Sequence, residues 1–154
     1  MTTDREKTPP SNIQIVVSDT IDRDALCDLY NAVGWSIYTA EPDRLSAAIS
    51  GSSFVVVAMD RERLIGLARA ISDDATVAYI QDILVRPSHQ GQGLGRRLVQ
   101  AILDRYSHVR QKILLTDDRP QQLQFYASLG FANTRELSKT PLNAFVIIEG
   151  VNLG

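Results

Sequence analysis

The sequence is poor in the features that mark disulfide-stabilised, metal-binding or membrane-spanning proteins. It has one cysteine, Cys27, among 154 residues, which excludes an intrachain disulfide and a cysteine cluster for a metal. Its longest unbroken apolar run, Phe54 to Met59, is far too short to span a bilayer. Residues 1–11 are polar and lack the apolar core of a signal peptide, so we expect a disordered leader there. The expectation is a cytoplasmic protein without a metal site.

The charge balance gives no sign of a polyanionic partner. The chain has 16 lysines and arginines against 18 aspartates and glutamates, and its formal net charge is -2. Proteins that bind a nucleic-acid backbone carry a basic excess, so we expect no nucleic-acid partner and no membrane partner. The 44% hydrophobic and 22% charged residues are typical of a globular protein. We therefore expect a single domain over residues 12–150.

Hydrophobic periodicity predicts elements in the order β-α-α-β-β-β-α-β-α-β-β. Only the step from the strand at 77–85, through the helix at 93–106, to the strand at 112–116 requires a parallel crossover. Two further strands are expected at 131–135 and 143–149. The predicted class is α/β, with a mixed, mostly antiparallel sheet of six to seven strands flanked by helices.

The most informative stretch is a glycine-rich turn between a predicted strand and the clearest predicted helix. Gly91, Gly93 and Gly95 lack the side chains that would block a close approach, so several backbone N–H groups can point into one concavity. With the positive end of the helix dipole, these donors favour a phosphate or pyrophosphate. Arg96 stands where a Walker A loop or a dinucleotide fingerprint requires glycine, which excludes both motifs.

Two motifs resemble those of the GNAT superfamily of acyl-CoA-dependent N-acyltransferases. The stretch Gln90-Gly91-Gln92-Gly93-Leu94-Gly95, which follows Leu84-Val85-Arg86-Pro87, fits the family pattern Gln/Arg-x-x-Gly-x-Gly/Ala. The stretch Phe125-Tyr126-Ala127-Ser128-Leu129-Gly130-Phe131 is similar to the family's Phe-Tyr-x-x-x-Gly-Phe segment. The predicted order of elements also matches the family from about Ile13 to Glu149. The resemblance implies a GNAT-like fold and an N-acetyltransferase that moves an acetyl group directly from acetyl-CoA to a primary amine.

The resemblance also implies which residues hold acetyl-CoA, the co-substrate. Its pyrophosphate is expected on the glycine-rich turn, and its pantetheine arm on the end of the preceding strand. A backbone N–H near Val85 is expected to polarise the thioester carbonyl, which makes Val85 a predicted catalytic residue. The implied cofactor-binding residues are Ile83, Leu84, Val85, Gln90, Gly91, Gln92, Gly93, Leu94, Gly95 and Arg96.

Two catalytic roles follow from the resemblance, a general acid and a general base. Tyr126 matches the family tyrosine that protonates the departing thiolate, which suits a phenol with a pKa of about 10. Packing beside Phe125 is the alternative role. For the base, Asp82 is a candidate, but the period of two points it away from the face of Tyr79 and Gln81 unless a bulge redirects it. A water chain that ends on Tyr79 or Gln81 is the competing interpretation.

The acceptor is expected to be a small-molecule amine. The stretch from Val33 to Tyr38 resembles the acceptor-side wall of the family, and Trp35 and Tyr38 favour a small or aromatic amine over a protein tail. Together with Tyr79 and Gln81 they form the predicted substrate-binding set. The identity of the amine, the strictness for acetyl and a homodimer are left open. A second class of function is open too, a CoA-binding sensor or regulatory module that has lost turnover.

Overall fold

The computed structural model describes residues 12–18 and 20–154, so the leader predicted at 1–11 lies outside the described residues. After Leu115 the chain divides into two compact units, and the single domain expected over 12–150 stays a prediction. The second unit contains the helix α5 (Pro120–Ser128). The first unit contains β1 (Ile13–Val17), α1 (Arg23–Ala32), α2 (Ser36–Thr39), α3 (Pro42–Ser50), β2 (Phe54–Asp60), β3 (Arg63–Ser72), β4 (Val77–Val85), α4 (Leu94–Arg105) and β5 (Gln111–Leu114).

The five strands form one sheet in the order β1-β2-β3-β4-β5. The first four pair antiparallel with their neighbours, whereas β4 and β5 pair in parallel across the α4 crossover. The sequence predicted this single parallel step. The mixed, mostly antiparallel α/β architecture is confirmed, but with five strands instead of six to seven.

Helices cover both faces of the sheet because inward side chains alternate along the central strands. Val57 and Leu67 join a buried cluster with Leu29 of α1 and with residues of α3. The opposite face is covered by α4, which packs against β2, β3 and β4. A methyl group on Gly66 of β3 would lie only 3.2 Å from Leu98 Cδ1, so α4 approaches this face closely.

Local signals explain where the helices begin. The Asp22 carboxylate caps α1 by accepting a hydrogen bond from the Ala25 amide at 3.0 Å. Pro42 and Pro120 lie in the first turns of α3 and α5, where a missing N–H costs nothing. The short α2, Ser36–Thr39, was not predicted, because four residues are too few to display a helical period.

The prediction of a strand at 131–135 is wrong. Residues Thr134–Glu136 form a 3₁₀ turn that begins at Asn133. The Asn133 side-chain oxygen accepts a hydrogen bond from the Arg135 amide at 3.1 Å. Asparagine therefore takes up a backbone donor that a strand would have used in its ladder.

The prediction of a strand at 143–149 is also wrong, since these residues adopt no regular structure. Phe145 and Ile147 are 93% and 89% exposed. Alternating apolar residues favour a strand only through contacts with neighbouring strands. Residues 116–154, all of them described, contain no strand that could provide such contacts within this unit.

Two kinds of feature are absent from the parts of the chain that the structure describes. No helix in residues 12–18 and 20–154 is both long enough and apolar enough to cross a membrane. Over the same residues, no group of three His, Cys, Asp or Glu side chains could hold a metal ion. The thiol of Cys27 is half-buried and forms no disulfide.

We expect Leu98→Ala to lower the free energy of unfolding by about 2–5 kcal/mol, because it leaves a cavity where a fully buried side chain stood. Gln100→Ala changes the exposed side of the same helix and should cost less than about 1 kcal/mol. Urea unfolding followed by circular dichroism measures both values. Equal losses in the two variants would contradict the packing of α4 described above.

Candidate active site

The glycine-rich turn leaves open space where a ligand would approach its backbone. Gly91 and Gly93 have φ values of +79° and +77°, in the left-handed region that favours glycine. A Cβ atom built on either residue meets no heavy atom within 4 Å. α4 begins directly after Gly93, which provides no side-chain cap for the first helix amides. An anion with several acceptor oxygens fits this arrangement.

Side chains beside the turn hold its backbone in place. Gln90 Nε2 donates to the Val85 carbonyl oxygen at 2.9 Å. His89 Nε2 lies 3.1 Å from a carboxylate oxygen of Asp60, at the end of β2. The buried Arg86 donates from Nε to a carbonyl of β3 at 2.8 Å. The Gln90 side-chain amide therefore bonds to the end of β4. That Gln90 binds a cofactor stays a prediction.

An irregular pairing with β3 divides β4 into two parts. Gln81 lies opposite Arg69, but the next pair is Leu84 with Leu67, so two residues of β4 face one residue of β3. This is a β-bulge. Its first residue, Asp82, has a φ of +56°, a conformation that costs a non-glycine residue roughly 1–2 kcal/mol. The bulge that could redirect Asp82 is thus present.

Beyond the bulge, one edge of β4 extends past its parallel neighbour. The ladder between β4 and β5 ends at the pair of Ile80 with Leu114. Residues 81–85 therefore continue past the last pair with β5, while β3 still pairs with the other edge. Ile83, Leu84 and Val85 lie in this extension, and these are the residues predicted to bind pantetheine and to polarise the thioester.

The side chain of Asp82 is buried in a network of three donors. Its Oδ2 accepts from Arg69 Nε and from the Tyr30 hydroxyl, both at 2.9 Å. Its Oδ1 accepts from Gln81 Nε2 at 3.1 Å. The Asp82 side chain is 2% exposed and that of Arg69 9%. Most of the acceptor capacity of the carboxylate is therefore already used inside the protein.

Three aromatic rings pack against one another at the predicted acceptor side. The ring centroids of Tyr30 and Trp35 are 5.9 Å apart, and those of Tyr30 and Tyr38 are 5.6 Å apart. Trp35 and Tyr38 are separated by 6.0 Å. Both are half-buried, so each keeps some surface for a ligand. The structure brings the two predicted wall residues together and adds Tyr30.

Tyrosines near Asp82 hold their protons more tightly than usual. Burial raises the pKa of Tyr30, Tyr38 and Tyr79, and in each case the negative charge of Asp82 raises the pKa further. A hydrogen bond with Gln81 acts in the opposite direction on the pKa of Tyr38. Among the predicted substrate-binding residues, Gln81 thus bonds to the Asp82 carboxylate, and the charge of that carboxylate acts on Tyr38 and Tyr79. The phenols of Tyr38 and Tyr79 are neutral at neutral pH and cannot serve as bases themselves.

The predicted general acid lies in the second unit. Tyr126 is in α5 and packs edge-on against Phe125 and Phe131, with ring centroids 5.0 Å and 5.9 Å away. Burial, and to a smaller extent the charge of Asp117, raises the pKa of Tyr126 to about 12. The phenol therefore carries a proton at neutral pH. Its role in protonating a thiolate stays a prediction, as does the alternative of packing alone.

Sequence reasoning missed Arg69 and Tyr30 as members of this site. Tyr30 fitted the apolar face of α1 and gave no separate signal. Arg69 is a lone cation in the otherwise apolar strand from Leu64 to Ile71, and this was a usable signal. A charge in a buried strand requires a partner, which directs attention to the nearest buried carboxylate.

A family model and a curated relative match this chain. The model for the acetyltransferase (GNAT) domain matches residues 28–140. The histone acetyltransferase TAP1 of Glycine max is 35% identical over 147 residues, which cover 82% of this chain and 60% of that protein. The chain thus spans 60% of the length of this curated relative.

Solved structures show the same fold. A GNAT-family acetyltransferase from Streptococcus pneumoniae matches with a TM-score of 0.74 and 28% identity, covering 89% of this chain and 98% of that one. AAC(6')-Iy, solved with the bisubstrate analogue CoA-S-monomethyl-acetylneamine, matches with a TM-score of 0.59 and 17% identity, over 87% of this chain and all (100%) of that chain. The second likeness shows the fold alone. The family model, the sheet and the glycine-rich turn all indicate the same family. The chain belongs to the GNAT family of acetyltransferases.

Proposed function

We propose that this chain transfers an acetyl group directly from acetyl-CoA to the primary amine of a small molecule. The glycine-rich turn is the observation that carries the proposal. Its left-handed glycines leave open space before α4, beside a strand edge that extends past its neighbour. Family membership supports acetyl transfer as the class of reaction. A cytoplasmic location is part of the proposal and rests on the sequence alone.

Acetyl-CoA bound here supplies the acetyl group in activated form, as a thioester. The backbone amides from Gly91 to Arg96 would hold its pyrophosphate, assisted by the positive end of α4. The peptide groups of Ile83–Val85 would bind the pantetheine arm. The Val85 amide would donate to the thioester carbonyl oxygen, on which negative charge develops during attack by the amine.

Two proton movements accompany this transfer. An amine with a pKa near 10.4 must lose a proton before it attacks. Because Asp82 already accepts three hydrogen bonds, its geometry favours a water held by Tyr79 or Gln81 as the group that takes this proton. The Tyr126 phenol would give a proton to the departing thiolate. Its pKa of about 12 keeps that proton available at neutral pH.

The aromatic side chains support an acceptor with an aromatic or apolar body. Trp35 and Tyr38 offer ring surface to such a body. Asp82, which bonds to the neighbouring Tyr30, is paired with Arg69. Its charge is therefore already compensated and would attract the second ammonium group of a polyamine only weakly. The soybean relative carries the name of a histone acetyltransferase, which makes a lysine side chain the competing acceptor.

An acetyl-CoA consumption assay tests the proposed function. Release of free thiol is followed with an arylethylamine, an aliphatic polyamine, an aminoglycoside and a lysine-containing peptide. We expect the largest kcat/KM with the arylethylamine, because its ring can pack against the exposed aromatic surface. Preference for the peptide would contradict the small-molecule acceptor. Binding of acetyl-CoA without thiol release from any amine would favour the CoA-binding sensor.

We expect Gly93→Ala to lower the affinity for acetyl-CoA at least tenfold, because its Cβ would enter the open space of the turn. Gly150→Ala is the matched control: it has the same φ of +77° and the same open surroundings, but lies outside the turn. Both variants should lose about 1–2 kcal/mol of stability through backbone strain. Calorimetry measures the affinities. Equal affinity in folded Gly93→Ala and Gly150→Ala would exclude this turn as the pyrophosphate site.

We expect Tyr126→Phe to reduce kcat by about 10²–10⁴-fold, the usual contribution of a general acid. The affinity for acetyl-CoA should hardly change, since the ring and its packing are kept. kcat and kcat/KM should fall together because the hydroxyl matters only as the thiolate develops. Steady-state kinetics with the best amine of the panel measures both.

The pH profile gives Tyr126 a second readout. Deprotonation at high pH would remove the proton donor, so the rate should fall only as pH approaches the Tyr126 pKa of about 12. An alkaline fall in kcat centred near pH 10, which disappears in Tyr126→Phe, would show a phenol with its ordinary pKa. A kcat of Tyr126→Phe within a few-fold of the original would assign the residue to packing.

A further inference from the structure

Arg69 and Asp82 are opposite charges inside an otherwise apolar layer. Both side chains are almost fully buried, beside the cluster formed by α1, α3 and the central strands. Burying such a pair gains little over a pair of well-packed apolar residues, because desolvation offsets the attraction between the charges. Stability alone therefore does not explain the pair. The best-attested use of buried charges is to fix one arrangement of the chain, here the register of β4.

The register of β4 changes at Asp82. Before it, Gln81 lies opposite Arg69, and after it Leu84 lies opposite Leu67. Side chains alternate along a strand, so a shift by one residue turns every following side chain to the other face. Without the extra residue, Ile83 would take the inward place that Leu84 now occupies in the buried cluster. The bulge therefore decides how the peptide groups of Ile83–Val85 are presented.

The Asp82 carboxylate has three donors, which connect this bulge to β3, to α1 and to the preceding residue of β4. Arg69 reaches it from β3, Tyr30 from α1, and Gln81 from the preceding residue of β4. Arg69 is held in turn by Ser52, whose Oγ is 3.3 Å from Nη1. A short carboxylate on a left-handed residue can reach all three donors, whereas an apolar side chain could make none of these bonds.

The same network reaches the acceptor side. Gln81 donates to Asp82, and it also acts on the Tyr38 phenol, where it lowers the pKa against the stronger effect of burial. Tyr30, a second donor to Asp82, packs against the rings of Trp35 and Tyr38. The residue at which the register of β4 changes is therefore bonded directly to Tyr30, one of the three packed aromatic rings.

We propose that Asp82 is a positioning residue, which with Arg69 and Tyr30 holds the β4 bulge so that the backbone of Ile83–Val85 meets the thioester and Gln81 faces the acceptor. The inference rests on the proposed acetyl transfer. It differs from the interpretation of Asp82 as general base, because the carboxylate here acts through the backbone and Gln81 and takes no proton from the amine.

Two variants with one control test this role. Tyr30→Phe removes one donor and keeps the buried ring, while Asp82→Asn removes the charge and keeps a residue that tolerates positive φ. Tyr106→Phe is the matched control, since Tyr106 is equally buried but packs near Phe54, at the C-terminal end of α4. Thermal melts followed by circular dichroism identify the variants that fold. If Asp82→Asn does not fold, Tyr30→Phe still tests the proposal.

The first readout is kinetic. We expect Tyr30→Phe and Asp82→Asn to lower kcat about tenfold or more, the effect of losing a hydrogen bond to a charged group. In a plot of kcat/KM against pH, the fall on the acid side (the acid limb) should remain in Asp82→Asn, with a lower plateau. Tyr106→Phe should match the unsubstituted protein. Loss of that limb in Asp82→Asn would identify Asp82 as the base and overturn the proposal. Unchanged kcat in both variants would overturn it as well.

The second readout is spectroscopic and needs no turnover. Infrared spectra of bound acetyl-CoA, ¹³C-labelled at the thioester carbonyl, report the donors around the carbonyl oxygen. We expect the carbonyl frequency to move toward that of free acetyl-CoA in Tyr30→Phe and Asp82→Asn but not in Tyr106→Phe. If no amine is acetylated, the proposed function fails, and the carbonyl frequency alone still decides the positioning role. An unshifted frequency in both variants would overturn it.

Discussion

The pairing of the two central strands β3 and β4 depends on a single residue with a left-handed backbone. Asp82 makes two residues of β4 face one residue of β3. Because of this extra residue, Leu84 packs inward with Leu67. The backbone of Ile83–Val85 runs past the end of the β5 ladder. The inward position of Leu84 and the presentation of the proposed pantetheine edge therefore both follow from one bulge.

An aspartate suits this position for two physical reasons. Its short side chain tolerates the left-handed region better than most residues do. Its carboxylate, held at 2.9 Å by both Arg69 and Tyr30, offsets the conformational cost with charge-assisted hydrogen bonds. The same bonds tie the bulge to β3 and α1, which by our proposal holds it in one conformation. A rigid backbone donor stabilises developing negative charge better than a mobile one, because it needs no reorganisation during the reaction.

The sequence predicted the features that depend on neighbouring residues and missed those that depend on distant ones. The helices were predicted from their apolar periods and from Pro42 and Pro120. The turn was predicted from its glycines, and the crossover from the order of elements. Tyr30 and Asp82 lie 52 residues apart, and no local pattern relates them. The strands expected at 131–135 and 143–149 failed because a strand needs a partner, which alternation of apolar residues does not provide.

The two sides of the candidate site recognise their ligands by different means. On the proposed cofactor side, glycines and a register shift present backbone groups, so recognition there would depend little on the surrounding side chains. On the proposed acceptor side, recognition would depend on side chains such as Trp35 and Tyr38. The glycine-rich turn therefore identifies the family, whereas only a few aromatic rings bear on the acceptor. Gln81 belongs to both sides, because it lies next to the bulge and bonds to Asp82. We expect a substitution there to change acceptor recognition and the proposed thioester geometry together, whereas Trp35 is connected to Asp82 only through the ring of Tyr30.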